Sequence, residues 1–60
     1  MKDKLAVPVP EACTRLGIGR TLFYELVNAG EIRTFKVGAR TLVPVRDLEA
    51  FVERKLQEVA

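Results

Sequence analysis

The chain has 60 residues, of which 48% are hydrophobic, and its formal net charge at pH 7 is +2. This length allows one domain with one small core, and the hydrophobic content is too high for a disordered tail. With a single cysteine and no histidine, the composition excludes an internal disulfide and argues against a zinc site, so we expect neither a metal nor a cofactor.

The sequence predicts neither a membrane protein nor an enzyme. No apolar run approaches the roughly 18 residues that a membrane span needs, and no basic-then-apolar signal segment opens the chain. We therefore expect a cytoplasmic protein with a reduced Cys13, which we interpret as a small core residue rather than a reactive thiol. The absence of histidine and of paired carboxylates argues against acid–base catalysis, so we predict no catalytic residue.

The first elements predicted are an arm and a short helix. Residues 1–6 are expected to form a flexible arm, with Leu5 or Val7 against the core. The stretch "PVPEACTRLG" predicts a helix over residues 8–17, because proline is tolerated in a first turn. Gly17 is typical of the position just past a helix end.

A second helix is predicted over residues 20–29, with an apolar stripe of Phe23, Leu26 and Val27 at helical spacing. About three residues that include glycine separate it from the first helix, which predicts a helix-turn-helix. On a helical wheel, the exposed side and its edges then carry four polar residues. These candidate site residues are Arg20, Thr21, Tyr24 and Asn28.

Side chains of these types suit contact with nucleic acid. Arginine can bind guanine O6 and N7 with two hydrogen bonds, or a phosphate. Hydroxyl groups of threonine and tyrosine can reach phosphates, and asparagine can pair with adenine. Each residue could equally be an ordinary surface or half-buried position. Glu25 lies on or near the same face, where it is either a rim residue that repels phosphate or a contact to a cytosine amino group.

The stretch "EIRTFKVGARTLVP" predicts a β-hairpin over residues 33–43, because it is rich in residues that favour strands. A final helix is predicted over residues 45–58. The hairpin must pack on the helices to be stable, and we expect Ile32, Phe35, Val37 and Val43 to point inward. The apolar face of the final helix is expected to comprise Leu48, Phe51, Val52, Leu56 and Val59. The fold class predicted is α+β, a small winged helix-turn-helix in the order helix, helix, β-hairpin, helix.

Charge is distributed unevenly between the hairpin and the final helix. Residues 31–46 carry four basic residues against one acidic residue, whereas residues 47–60 carry four acidic residues against two basic ones. A basic segment of this kind indicates a polyanionic partner, although a solvated surface is the alternative. A basic hairpin tip can reach phosphates or enter a minor groove. The candidate wing contacts are Lys36, Gly38, Arg40 and Thr41.

The ordered set of segments "PEACTRLGIGRTLFYELVNAGEI", "KVGARTLVP" and "RDLEAFV" resembles the small winged helix-turn-helix proteins of the excisionase type, which are related to the DNA-binding domain of MerR regulators. In this resemblance, Arg20 and Tyr24 match residues of the recognition helix, and Gly38 and Arg40 match the wing. The family usually has serine where Gly19 stands. It often has basic residues in place of Glu25, Ala39 and Leu42.

The resemblance implies a phage or mobile-element excisionase, also called a recombination directionality factor. Such a protein binds double-stranded DNA beside an attachment site and bends it. It thereby directs a partner tyrosine or serine integrase toward excision, with no chemistry and no small-molecule ligand of its own. Because the wing is basic and the final helix acidic, we also expect head-to-tail self-association on DNA. The alternatives are a small transcription regulator with the same DNA surface, and an antitoxin-like protein-interaction module.

Overall fold

A computed structural model describes residues 4–59 of the protein. The described chain forms three helices and one antiparallel sheet of three strands, with the spatial strand order β1, β3, β2. In chain order the elements are β1 (Ala6–Pro8), α1 (Val9–Leu16), α2 (Arg20–Asn28), β2 (Phe35–Val37), β3 (Arg40–Pro44) and α3 (Val45–Val59). This architecture confirms the predicted α+β winged helix-turn-helix.

The chain before α1 departs from the predicted flexible arm. Ala6 lies in β1, which pairs with β3 and extends the hairpin into a three-stranded sheet. Val7 is fully buried, whereas Leu5 is 90% exposed. The carbonyl of Leu5 accepts a hydrogen bond of 2.9 Å from the backbone N–H of Val45, which joins this segment to the start of α3. Residues 1–3 of the predicted arm lie outside the described residues.

The two helices of the helix-turn-helix end in the same way. At the end of α1, Gly17 has a φ of 74°, and Ile18 donates its N–H to Cys13 O. At the end of α2, Gly30 has a φ of 80°, and Glu31 donates its N–H to Leu26 O. Glycine adopts this left-handed backbone at no steric cost, which is why it follows so many helices.

One core joins the helices to the inner face of the sheet. Its fully buried large side chains are Val7, Phe23, Ile32 and Val43, and Cys13 belongs to the same cluster. The helix α2 packs on α1, while β3 contacts both α1 and α3. The side of α2 that faces the core is thus fixed chiefly by the burial of Phe23. Much of the remaining helix surface is open to solvent.

The prediction of inward-facing residues is wrong for two sets, one on the hairpin and one on α3. Phe35 and Val37 are exposed because β2 pairs with β3 in a register that places them opposite Leu42 and Arg40, on the sheet face away from Val43. Side chains alternate between faces along a strand, so the register decides which ones are buried. On α3, the residues Val52, Leu56 and Val59 are also exposed. Leu48 is buried, with Phe51 half-buried against the core.

Candidate nucleic-acid interface

The exposed surface of α2 presents all four of the polar residues singled out on this helix. Arg20, Thr21, Tyr24 and Asn28 are all exposed. Arg20, Tyr24 and Asn28 follow one another at intervals of four residues, and Thr21 lies three before Tyr24, so they occupy one continuous surface. Phe23 points the opposite way into the core. The helix therefore presents a continuous polar face, and the major groove is wide enough to admit an α-helix.

The ring of Tyr24 packs against the core residue beside it. Its ring meets the ring of Phe23 edge to face, with centroids 5.8 Å apart and an interplanar angle of 85°. The tyrosine is still 43% exposed. Packing of the ring against Phe23 limits its rotation, which suits a hydroxyl group that contacts a phosphate at a fixed position.

Two further residues of α2 modify this surface. Glu25 is exposed among the polar residues, as the sequence predicts, and places a negative charge on the face. Leu22 is also exposed, on the opposite edge from Arg20. Leu22 is not one of the predicted contacts, although its place off the Phe23, Leu26 and Val27 stripe is visible on a helical wheel. An exposed leucine here can make apolar contact with a thymine methyl group.

The two basic residues of the wing lie on opposite faces of the hairpin. The register pairs Lys36 with Thr41 and Val37 with Arg40, and residues directly opposite each other share a face. Lys36 and Thr41 therefore share the face of the buried Val43, and Arg40 lies on the outer face. Between them, Gly38 has a φ of 60° and lies in the tight turn. The two charges thus flank the tip rather than forming one patch.

The basic side chains divide into those with partners inside the protein and those without. Lys4 and Arg15 contact Glu11, Lys55 contacts Glu31 and Glu58, and Arg54 donates to the carbonyl of Glu31. By contrast, within residues 4–59 four basic side chains make no hydrogen bond or ion pair: Arg20, Lys36, Arg40 and Arg46. Three of these four are the cations expected to contact DNA.

Arg33 belongs to the basic segment in the sequence but is neutralised in the fold. Its Nε and Nη2 atoms donate to Oδ2 and Oδ1 of Asp47 at 3.0 and 3.2 Å, and its backbone N–H donates to Oδ2 at 3.2 Å. The hydrogen-bonded carboxylate raises the pKa of Arg33, and the guanidinium lowers the pKa of Asp47. The local excess of positive charge is therefore smaller than the sequence indicates, and it is concentrated on the wing.

A shallow apolar groove lies between the end of α1 and α3. Leu16 and Val52 line it, together with the acidic residues Glu49 and Glu53 and the base Arg15. Two negative charges thus border an apolar surface on α3. Across residues 4–59, no helix combines the length and apolar character required to span a bilayer.

Comparison with known proteins identifies the domain. A family model described as a helix-turn-helix domain matches residues 9–56, which include α1, α2, the hairpin and all but the last turn of α3. The chain belongs to this helix-turn-helix domain family. As a member of the family it is a DNA-binding protein rather than an enzyme, because helix-turn-helix domains place their second helix in the major groove of DNA.

A relative with a functional description is also similar over nearly the whole chain. A protein from Saccharopolyspora erythraea described as a probable excisionase is 29% identical over 58 residues, which cover 97% of this chain. The chain spans 59% of the length of that relative. No solved structure matches the chain significantly. The family match and this relative together confirm the predicted resemblance to excisionase-type helix-turn-helix proteins.

Proposed function

We propose that this helix-turn-helix protein is an excisionase, a DNA-binding and DNA-bending accessory factor that directs an integrase toward excision. The observation that carries the proposal is the division of its cations. Arg20 on α2 and Lys36 and Arg40 on the wing have no partner within residues 4–59, whereas Arg15, Arg33 and Lys55 are paired with carboxylates. Unpaired cations on the two elements that reach DNA in winged folds are available to phosphates and bases.

In this proposal α2 is the recognition helix. Its N-terminal residues Arg20 and Thr21 enter the major groove first, where arginine reads guanine or contacts a phosphate. Tyr24 and Asn28 follow along the same surface and contact the backbone or an adenine edge. Glu25 lies one turn after Thr21, at the rim of this surface. It either accepts a hydrogen bond from a cytosine amino group or weakens binding at every sequence.

The wing supplies the second set of contacts. Lys36, Arg40 and Thr41 flank the turn at Gly38 and lie on both faces of a narrow hairpin. This placement suits a tip that lies across a minor groove or beside one strand of the DNA. Arginine and lysine are favoured in a narrow minor groove by its negative potential. Contact in two neighbouring grooves by one rigid domain favours a curved duplex, which supports the proposed bending.

Self-association on DNA is proposed between two different surfaces. The outer face of the hairpin carries exposed Phe35 and Val37 beside Arg40, and the groove between α1 and α3 carries Val52 beside Glu49 and Glu53. The wing face combines apolar residues with positive charge, and the groove combines them with the negative charge of Glu49 and Glu53, since its one cation, Arg15, is paired with Glu11. A contact between the wing face of one copy and the groove of the next is heterologous, so it can repeat along DNA.

The excisionase role is supported by the relative from Saccharopolyspora erythraea, which is described as a probable excisionase and aligns with 97% of this chain. A partner integrase and a location beside an attachment site are proposed on the same basis. A cytoplasmic location follows from the need to reach that DNA.

The test is a footprint followed by a recombination assay. The purified protein is footprinted on DNA that flanks the attachment site of the integrase encoded nearest to its gene. It is then added to that integrase and an excision substrate. We expect protected repeats beside the attachment site and a higher yield of excision.

A variant with Arg20, Lys36 and Arg40 all changed to alanine should be inactive, whereas Lys4→Ala, which removes a paired lysine, should remain active. Protection of a promoter without any effect on excision would instead identify a transcription regulator. Absence of all DNA binding at physiological salt would favour the antitoxin-like alternative.

A further inference from the structure

The segment that connects α2 to the wing is attached to α3 at two points. Ile32 in this segment is 1% exposed and anchors it in the core. On one side of Ile32, the carbonyl of Glu31 accepts a hydrogen bond of 2.7 Å from Arg54 Nη2. On the other side, Arg33 forms its two-bond pair with Asp47. Residues 29–34 are the direct covalent connection between the two elements proposed to contact DNA.

The two attachment points fix both the position and the direction of this segment. Asp47 and Arg54 are seven residues apart on α3, or two turns, which separates them by about 10 Å along the helix axis. The segment therefore runs alongside α3 in the opposite direction, held at each end. The Lys55 side chain adds a contact of 3.2 Å to the carboxylate of Glu31.

The Asp47 carboxylate is unusually well enclosed for an ion pair on so small a domain. Its side chain is only 12% exposed, and it accepts hydrogen bonds from the backbone N–H as well as the guanidinium of Arg33. A two-bond pair between arginine and a carboxylate restricts orientation as well as distance. The pair between Arg15 and Glu11, by contrast, lies within α1 and connects no other element.

We propose that Arg33, Asp47 and Arg54 are positioning residues for DNA recognition, an inference that rests on the proposed function. They hold the 29–34 segment on α3 and so set the angle and spacing between the recognition helix and the wing. These three side chains make no DNA contact themselves. Their loss leaves both contact surfaces intact but lets them move relative to each other, so that the two no longer reach their grooves in register.

A positioning role and a phosphate-contact role predict different results for Arg33. A cation that contacts a phosphate contributes about one unit to the slope of log affinity against log salt, and it acts on all sequences. A positioning residue changes neither the salt slope nor binding to unrelated DNA. It changes only the difference in affinity between the correct site and unrelated DNA, because tighter binding to the correct site requires both surfaces to be aligned.

The experiment uses fluorescence anisotropy with two duplexes. One is selected by the unaltered protein from a randomised pool, and the other is a shuffled sequence of the same composition. The variants are Arg33→Ala, Arg33→Lys and Arg54→Ala, with Lys4→Ala as the control, because Lys4 is paired with Glu11 and lies outside both proposed contact surfaces. All measurements are made well below the melting temperature, and circular dichroism checks that each variant is folded. Arg33→Lys keeps the charge but cannot form the two-bond pair.

We expect Arg33→Ala to lower affinity for the selected duplex by about tenfold, comparable to the loss of one base contact. Binding to the shuffled duplex and the salt slope should not change. Arg33→Lys and Arg54→Ala should give the same pattern more weakly, and Lys4→Ala should match the unaltered protein. Residual dipolar couplings of the DNA-free protein should also show a changed orientation of α2 relative to the sheet in Arg33→Ala.

Other outcomes would overturn the inference. A salt slope lower by one unit, with affinity kept by Arg33→Lys, would make Arg33 a phosphate contact. A lower melting temperature with unchanged selectivity would make the pair a stabilising contact only, and would leave the proposed function intact. If the unaltered protein failed to select any sequence from the pool, the proposed function and this inference would both be wrong.

Discussion

Gly17 and Gly19 stand on either side of Ile18 in the turn between α1 and α2, and their backbones differ in kind. The φ angle is 74° at Gly17, in the left-handed region, and −81° at Gly19, where the extended backbone is open to any residue. An added Cβ would meet no other atom within 4 Å at either position. The two glycines therefore differ in the conformation that the turn requires and not in the space around them.

Substitution at these two positions should change stability in opposite directions. Gly17→Ala is expected to lower the free energy of unfolding by about 1–2 kcal/mol, because a Cβ strains the left-handed backbone. Gly19→Ser should raise it by about 0.5–1 kcal/mol, because serine can cap α2 and restricts the unfolded chain. Urea denaturation without DNA measures both changes. Shifts of the midpoint in the same direction for the two variants would contradict this explanation.

Specificity is expected to depend on Arg20. This arginine opens α2, is exposed and has no partner within residues 4–59. If it reads a guanine, Arg20→Ala should weaken binding to the selected duplex by about 1–3 kcal/mol and binding to a shuffled duplex by much less. Anisotropy titrations of both duplexes measure the difference. An equal loss on both would reassign Arg20 to a phosphate, and no loss on either would remove it from the interface.

The wing is expected to supply affinity that does not depend on sequence. Changing Lys36 and Arg40 together to glutamine should weaken binding to all duplexes. It should also lower the slope of log affinity against log salt by about one to two units, because fewer counterions are released. Lys4→Gln, which removes a cation already paired with Glu11, is the control and should leave the slope unchanged. An unchanged slope in the wing variant would exclude contact between these residues and phosphates.

The order of elements could be predicted from sequence because each boundary has a local chemical cause. Gly17 and Gly30 end two helices through their left-handed backbones. The buried position of Phe23 follows from helical spacing alone and leaves the polar side of α2 exposed. The prediction of the four candidate site residues on α2 depends only on this helical spacing, and all four are exposed.

Features that depend on contacts between distant segments could not be predicted in the same way. The strand β1 has three residues and contains Pro8, so nothing local distinguishes it from an arm. Phe35 and Val37 point outward because of a pairing register that the two strands set together. Asp47, which neutralises Arg33, is 14 residues away in sequence. The net charge counted over residues 31–46 of the sequence therefore overestimates the positive charge that is available to DNA.

Stability should fall in acid partly through Asp47. Its pKa in the folded protein is lowered, first by the hydrogen bond from the Arg33 side chain and also by the Arg33 backbone N–H. The unfolded chain therefore binds a proton at Asp47 more readily than the folded protein does. The stabilisation is complete above the ordinary carboxyl pKa of about 4 and is lost as the pH falls through the lower folded value.

The variant Asp47→Asn isolates this contribution. It should lower stability at neutral pH and make the decline in acid less steep, because the titrating group is gone. Glu11→Gln is the matched control, since its pKa is lowered by Lys4 and Arg15 but the carboxylate lies on the surface, where ion pairs contribute little. Urea denaturation at several pH values between about 3 and 7 spans the window. An acid limb as steep in Asp47→Asn as in the unaltered protein would assign the decline to other carboxylates.

Cooperative assembly on DNA is the remaining prediction. A single DNA-binding module buries only about 600–1,000 Å² on DNA, so one copy is expected to bind one site weakly. Contacts between the outer wing face and the α1–α3 groove of a neighbouring copy would add to this, but exposed ion pairs contribute only about 0–1 kcal/mol each. The protein should therefore be monomeric in solution and cluster on DNA.

Duplexes with one, two and three adjacent sites measure this cooperativity by gel shift and sedimentation. Affinity per site should rise with each added site. Val52→Asp places a charge in the groove beside Glu49 and Glu53, so it should abolish the rise while leaving binding to the single-site duplex unchanged. Val59→Asp, at an exposed position near the end of α3, is the control and should retain cooperativity. Independent filling of the sites by the unaltered protein would refute head-to-tail assembly, because contacts between neighbouring copies must appear as a gain in affinity when both sites are occupied.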